Sequence, residues 1–323
     1  MIFYHSKYFE FWKSCLGILC ALILAAASAA GAKPASVVLV KSALRTEYEQ
    51  TSRAIVSSLE KADPELAVEE ILFDINPERE NDFWNKVIEK RPELIITMGT
   101  PAARSAIRTV TNIPIIFTVV LDNIRDIHPN ADFSEISGVT LAIPVNEQLE
   151  MMRKALPDIR RVGFIYSSSS AHMHRSAGNI ASRMGLRLVE SEIASERDIP
   201  AALRRILPEV DIFWMPPDAV IYERNILPFI LRECYKNSVP IAAVSKRIAM
   251  AGTPLALGID YEDIGKQTAE LALKKLSGRP FSNLVIEHPR KVILYINEGV
   301  ATSLGLNIPQ EVMEQAISVK SWR

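Results

Sequence analysis

Leu94-Ile95-Ile96-Thr97-Met98-Gly99-Thr100-Pro101-Ala102-Ala103 is the stretch on which the fold turns. Leu94 to Met98 is apolar or β-branched throughout, which reads as a short strand covered on both faces. Gly99 then permits a sharp corner with close backbone approach, and Pro101 at the first helical position opens a helix running on from Ala102. A strand that runs directly into a helix is the repeating unit of a parallel sheet, and the unit recurs on both sides of this one. Upstream, Ser36 to Val40 reads as a strand, Thr46 to Lys61 as a helix, Leu66 to Phe73 as a strand and Glu80 to Lys90 as a helix. Downstream, Ile115 to Val120 and Ile136 to Leu141 add two more strands.

Pro144 and Val145 interrupt this series, and a second begins with a helix from Asn146 to Leu156 for which Asn146 is the expected cap. Arg161 to Tyr166 follows as a strand, then the polar loop Ser167 to Ser170, and a helix from Ala171 to Met184 that stops at Gly185. Leu186 to Glu190, Ile212 to Met215 and Ile241 to Val244 read as strands, and Glu196 to Leu207 and Ile221 to Asn237 as helices. The pattern predicts an α/β protein of two doubly wound parallel-sheet lobes with a hinge and an interlobe cleft. In open sheets of this kind ligands meet the loops at the carboxyl ends of the strands.

At the other end of the chain, Lys7 and Lys13 precede an apolar run from Leu16 to Ala27 and then two small-x-small boxes, Ala27-Ser28-Ala29 and Ala30-Gly31-Ala32. Charge, apolar run and small residues in that order make a secretory signal, expected to be cleaved between about Ala30 and Lys33. The run is short for a membrane anchor, which needs about 20 apolar residues. The mature chain is therefore expected in the periplasm with no stable membrane insertion. Past the signal the only cysteine is Cys234, so burial rather than an internal disulfide must hold the protein together. A formal net charge of -1 with acids and bases interspersed lacks the basic stripe of a nucleic-acid binder.

The strand-end loops are rich in hydroxyls, carboxylates and free amides, which suits a small zwitterion. Thr100 sits where a strand hands over to a helix, so that unpaired amides could hold a carboxylate or merely await a cap. Ser167 and Ser168 open a second helix N-terminus of the same kind, and Ser42 and Ser245 lie on two further loops. Asp122, Asp218 and Asp260 each follow a strand and are candidates to pair with a ligand ammonium, although aspartates there are ordinarily turn residues. Tyr166 and Tyr261 are candidates to cover a ligand side chain, with core packing as the alternative. Catalytic signatures are missing: there is no G-x-S-x-G, no phosphate loop, no G-x-G-x-x-G and no H-E-x-x-H, so no enzyme activity and no cofactor is expected. His172 and His174, two apart on a helix, diverge and make no metal site.

The same loops carry a resemblance. Glu93 to Ala103, Ile113 to Phe117, Ser137 to Thr140 with Glu147 to Glu150, Leu156 to Gly163, Leu257 to Ala269 and Asn297 to Pro309 together resemble the ABC transporter substrate-binding family that includes tryptophan- and tyrosine-associated binding proteins. The resemblance implies a type I periplasmic-binding fold whose chain passes between lobes three times, near Pro144, Ile259 and Phe281. On that basis residues 1–32 are the signal, 33–143 with 260–280 the first lobe, and 144–259 with 281–323 the second. It implies a monomer that binds a small molecule and hands it to an ABC permease with its ATPase. The same cleft would equally serve an extracytoplasmic sensor subunit, and a secreted enzyme is the remaining alternative. Two loops depart from the family pattern, Lys41-Ser42-Ala43-Leu44-Arg45 and Ser245-Lys246-Arg247, and their positive charge would favour a more anionic ligand.

Overall fold

A computed structural model describes residues 36–323 other than 75, 122–123, 125–132, 224, 282–285 and 323, together with all but the side chain at 172. The expected signal over 1–32 and the candidate Asp122 lie outside the described residues. The first series forms β1 (Ser36–Lys41), α1 (Thr46–Ala62), β2 (Ala67–Leu72), α2 (Glu80–Glu89), β3 (Leu94–Met98), α3 (Thr100–Thr109), β4 (Ile115–Val120) and β5 (Ile136–Thr140). The second forms α4 (Val145–Ala155), β6 (Arg161–Tyr166), α5 (Ala171–Arg183), β7 (Arg187–Glu192), α6 (Ile199–Ile206), β8 (Ile212–Trp214), α7 (Leu227–Lys236), β9 (Ile241–Val244), α8 (Lys246–Ala251) and β10 (Leu255–Ile259). Then α9 (Tyr261–Leu276) and β11 (Ile286–Glu287) return to the first lobe, and β12 (Val292–Asn297), α10 (Glu298–Ser303), α11 (Gln310–Gln315) and β13 (Ile317–Val319) finish the second.

Strand order is β11-β5-β4-β3-β1-β2 in one sheet and β13-β12-β10-β9-β8-β6-β7 in the other. β3 and β4 are buried at every residue because helices cover both faces of the sheet centre. Side chains alternate between those faces, as a period of two requires. Val38, Val40, Ile95 and Phe117 join Trp84 and the alanines of α3 on one side, and Val37, Leu39, Ile96 and Ile116 join Ile55, Leu59 and Ile264 on the other. The edge strand β2 is mostly exposed and carries Glu69 and Glu70, which discourages further pairing. The second sheet is parallel except for β12, which runs antiparallel to β10.

Three segments pass between the lobes: 141–144, the junction at Ile259 and Asp260, and 288–291. The third differs from the sequence expectation near Phe281. Phe281 packs against the core of the first lobe, and Ile286–Glu287 pairs with Gly138 and Val139 of β5 before the chain leaves. The passages are tied to one another. Gln267 Nε2 donates to the His288 carbonyl at 3.2 Å, the Asp260 amide to that of Lys291 at 3.3 Å, and His288 Nδ1 lies 3.0 Å from the Ala142 oxygen.

α9 is bound firmly to the first lobe. A Cβ on Gly265 would meet the Thr51 carbonyl at 2.5 Å, so only glycine lets α9 approach α1 so closely, and Thr268 donates to Thr118 at 3.0 Å beneath it. Two helix starts also differ from the sequence reading. α4 begins at Val145 with Pro144 as its cap residue, so Asn146 is inside the helix. α7 begins at Leu227, because 218–226 is held as a turn by hydrogen bonds to the Asp218 carboxylate and from Tyr222 Oη to the Met215 carbonyl.

Candidate functional site

Between the lobes lies a cavity of about 1900 Å³ whose wall combines the start of α1, the passages, the 217–222 turn, the start of α8 and β12. Sites for single small molecules enclose roughly 300–1,000 Å³, so this volume describes lobes held apart rather than closed on a guest. Of the residues singled out in the sequence, Asp218, Ser245, Asp260 and Tyr261 stand on the wall. Ser42, Thr100, Tyr166, Ser167 and Ser168 do not.

The first-lobe corner explains the absence of Ser42 and Thr100. Gly99 is the cap residue of α3 with φ 91° and ψ 154°, and the Ser42 hydroxyl accepts the Ala102 amide at 2.9 Å. Ser42 is buried and caps the helix, so that amide of the expected anion site is already engaged. Tyr166 likewise serves packing: its ring stacks on His174 at 4.3 Å and 8° and leans on Phe164 at 5.6 Å.

Asp218 is a wall residue of a different kind from the one expected. One carboxylate oxygen accepts the Ser167 amide (2.9 Å), the Ser167 hydroxyl (2.8 Å) and the Ser170 hydroxyl (2.6 Å), while the other accepts the amides of Val220 (2.8 Å) and Ile221 (3.2 Å). Burial by itself would raise this carboxyl, but the hydrogen bonds from Ser170, Ser167 and Ile221 outweigh it and hold it below the usual range. Five donors leave it little to offer an ammonium; it is the pin that fastens the 167–170 loop to the end of β8. Ser168 is exposed beside it, and Ser169 reaches the wall and accepts the Ala219 amide at 3.1 Å.

Asp260 also has a prior commitment. It caps α9 by accepting the amides of Glu262 and Asp263, both at 3.1 Å, and pairs with Lys291 at 2.5 Å across the second and third passages. Burial would raise its carboxyl, and the Lys291 and backbone hydrogen bonds reverse the shift downward. Lys41, one of the two cations thought to favour an anionic ligand, is buried and bonded to Glu70 at 2.7 Å and Glu49 at 3.0 Å. That expectation is corrected on the first-lobe side: its positive charge is neutralised where it stands.

What remains is a set of wall groups with free functional ends. Ser245 is exposed at the start of α8 with φ 80° and ψ 143°, and is followed by the exposed Lys246 and Arg247. Neither cation has a carboxylate partner among the described residues. Tyr261 stands at the head of α9 with its hydroxyl pushed up to about 12, by burial first and then by the nearby Glu47 carboxylate. Glu47, Tyr222, Tyr295 and Trp322 are wall residues that sequence reasoning passed over. Trp322 is 54% exposed while its amide is anchored to the Met250 carbonyl at 2.9 Å, so an open aromatic face is held in place at the rim. Among the described residues no group of histidine, cysteine or carboxylate side chains is arranged to hold a metal, and no helix is long and apolar enough to cross a membrane.

Against known proteins, the profile of a family described as "ABC transporter substrate binding protein" matches residues 65–320. The tyrosine-binding protein of Clostridioides difficile is 23% identical over 230 residues, spanning 69% of this chain and 66% of the relative, a little under two thirds of its length. Among solved structures, a substrate binding protein with adhesive properties from Clostridium difficile, in its ligand-free, open form, superposes with a TM-score of 0.75 at 21% identity, covering 89% of this chain and 100% of that one. A pneumococcal ABC domain in complex with L-Trp superposes with a TM-score of 0.63 at 18% identity, covering 88% and 99%.

Proposed function

Because the chain belongs to the ABC transporter substrate-binding protein family, we propose that it is the extracytoplasmic solute-binding component of an importer and closes its lobes around one small, amino-acid-like molecule with an aromatic side chain. The observation that carries this reading is the composition of the interlobe wall. Tyr222, Tyr261, Tyr295 and Trp322 supply aromatic surface, and Glu47, Lys246 and Arg247 supply uncommitted charge of both signs. A zwitterion with a ring matches that combination better than a sugar or a purely apolar guest. The names of two similar proteins, one tyrosine-binding and one crystallised with L-Trp, point the same way.

Closure is a shift between two states, so the ligand must bind the closed form more tightly than the open one. The three passages, each a short segment at the end of a strand or helix, are suited to absorb the rotation. The permease with its ATPase is the partner that follows from this role. The residues at 1–32 support export with cleavage between about Ala30 and Lys33, which periplasmic fractionation and N-terminal sequencing check.

The direct test is a melting-curve screen of the chain from Lys33 against the amino acids, organic acids and sugars. A ligand at about 100 times its dissociation constant adds about 2.7 kcal/mol of stability. The expected result is an upward shift with tyrosine or tryptophan and none with ribose; a shift with sugars alone overturns the reading.

A further inference from the structure

We propose that the ligand lies across the cleft in one fixed direction, its carboxylate held by Lys246 and Arg247 of the second lobe and its ammonium by Glu47 of the first. This rests on the amino-acid reading above and adds the residues and the orientation.

Elimination and contiguity carry it. Most other charges on the wall are spent inside the protein: Glu70 on Lys41 at 2.7 Å, Asp260 on Lys291 at 2.5 Å, Glu262 and Lys266 on each other at 2.6 Å, and Asp218 on its five donors. Arg53 donates to the Glu49 carbonyl, and Glu60 lies 13 residues beyond Glu47 on α1, which is about 20 Å along a helix. Glu47, Lys246 and Arg247 are left exposed on the wall, with no side-chain ion pair or hydrogen bond among the described residues.

These groups lie at the two ends of one continuous floor. Glu47 is near enough to Tyr261 to perturb its phenol, as is Tyr295. The Tyr295 ring in turn lies on Gly258, where a Cβ would come within 2.5 Å of it. The neighbouring Leu257 carbonyl accepts the Ser245 amide at 2.6 Å, and Ser245 leads directly to Lys246 and Arg247. From carboxylate to cations the path is therefore Glu47, Tyr261, Tyr295 over Gly258, Ser245, Lys246. An aromatic amino acid laid along it finds opposite charge at both ends and rings beneath it.

The assignment is tested by removing charges from ligand and protein in pairs. L-tyrosine, tyramine, which lacks the carboxylate, and 3-(4-hydroxyphenyl)propionate, which lacks the ammonium, are titrated calorimetrically into the wild type, the double variant K246Q/R247Q and E47Q. The tryptophan, tryptamine and indole-3-propionate series is run in parallel. K246Q/R247Q is expected to weaken the amino acid and the propionate by about tenfold or more, and the amine by less than about twofold. E47Q is expected to weaken the amino acid and the amine and to spare the propionate. All three side chains are exposed, so melting curves without ligand should coincide with the wild type. Equal losses for all three ligands, or none, overturn the orientation while leaving the amino-acid reading intact. If no member of either series binds the wild type, the reading and the inference fall together.

Discussion

Each lobe contains one corner where a central strand turns into a helix through a residue with positive φ, and the two are built differently. Gly99 has φ 91° and ψ 154°, Ser245 has φ 80° and ψ 143°, and each donates its amide to the adjoining strand, to Thr118 at 2.8 Å and Leu257 at 2.6 Å. This backbone lies in or beside the region that only glycine occupies without cost. The first-lobe corner uses glycine and is packed shut, with Tyr48 and Ser42 against it. The second uses serine, stands exposed on the cavity wall, and carries two unpaired cations immediately after it. A strained residue of this kind costs of order 1–3 kcal/mol and persists where the surroundings over-determine it, commonly at functional sites. The contrast says that the first corner serves the core and the second serves the ligand.

Gly99→Ala is the harshest way to break the comparison. The new Cβ would lie 2.2 Å from the Tyr48 hydroxyl oxygen on a backbone that alanine avoids, so Tyr48 or the whole corner must move. A loss of about 2–4 kcal/mol is expected in urea unfolding, from the sum of backbone strain and overpacking. A loss below about 0.5 kcal/mol, the ordinary range for a surface change, would mean that the corner is not packed as described.

Asp218→Asn is the next largest, and it asks whether the second lobe's wall is braced or merely placed. Three donors converge on one oxygen of Asp218, and an amide cannot accept all of them with the strength of a carboxylate. A loss of about 2–3 kcal/mol is expected, as for buried hydrogen bonds to a charged group. The sign with pH follows from the depressed folded carboxyl. A group whose pKa is lower folded than unfolded contributes stability above its unfolded value, and that contribution is lost as the pH falls toward the folded value. The wild type should therefore lose its advantage over Asp218→Asn as the pH is taken below the ordinary aspartate range, near 3.8. Parallel stability curves for the two proteins from pH 7 to pH 3 would contradict the role given to this carboxylate.

Much of the fold was legible because its signals are local. Five or six buried apolar residues in a row, as in β3 and β4, can be little else than central parallel strands, and Gly99 and Pro101 mark the corner without help. The two-residue β11 has no such pattern; only its pairing with β5 makes it a strand, which is why the third passage was expected several residues too early. At the site, position was easier to read than role. Asp218 and Asp260 are on the wall as strand-end logic predicts, but their partners, Ser167 and Ser170 for one and Lys291 for the other, are 31 to 51 residues away. Glu47 gave no signal, since an acid in the first turn of a helix is what the helix dipole favours in any case. Tyr166 was half legible: it shares the face of Phe164, two residues earlier, which is fully buried.

Ser245→Gly has the smallest expected effect and sharpens the contrast most, because it changes sign. Glycine accepts φ 80° without strain, so the second corner should relax and the protein gain about 0.5–1 kcal/mol, the usual benefit of removing a left-handed penalty less the added freedom of the unfolded chain. The Ser245 hydroxyl has no hydrogen bond among the described residues, so its removal costs the free protein nothing. Were the strained backbone only an accident of packing, ligand affinity would be unchanged as stability rises. If it holds Lys246 and Arg247 toward the cavity, the relaxed corner must be reordered on binding, and affinity for tyrosine should fall by a few fold, about 0.5–1 kcal/mol for a side chain to be immobilised again. Higher melting temperature together with weaker binding is the expected pair of results from unfolding and calorimetry on one variant. Destabilisation would show that the serine is needed for the fold, and the two corners would then differ in residue but not in purpose.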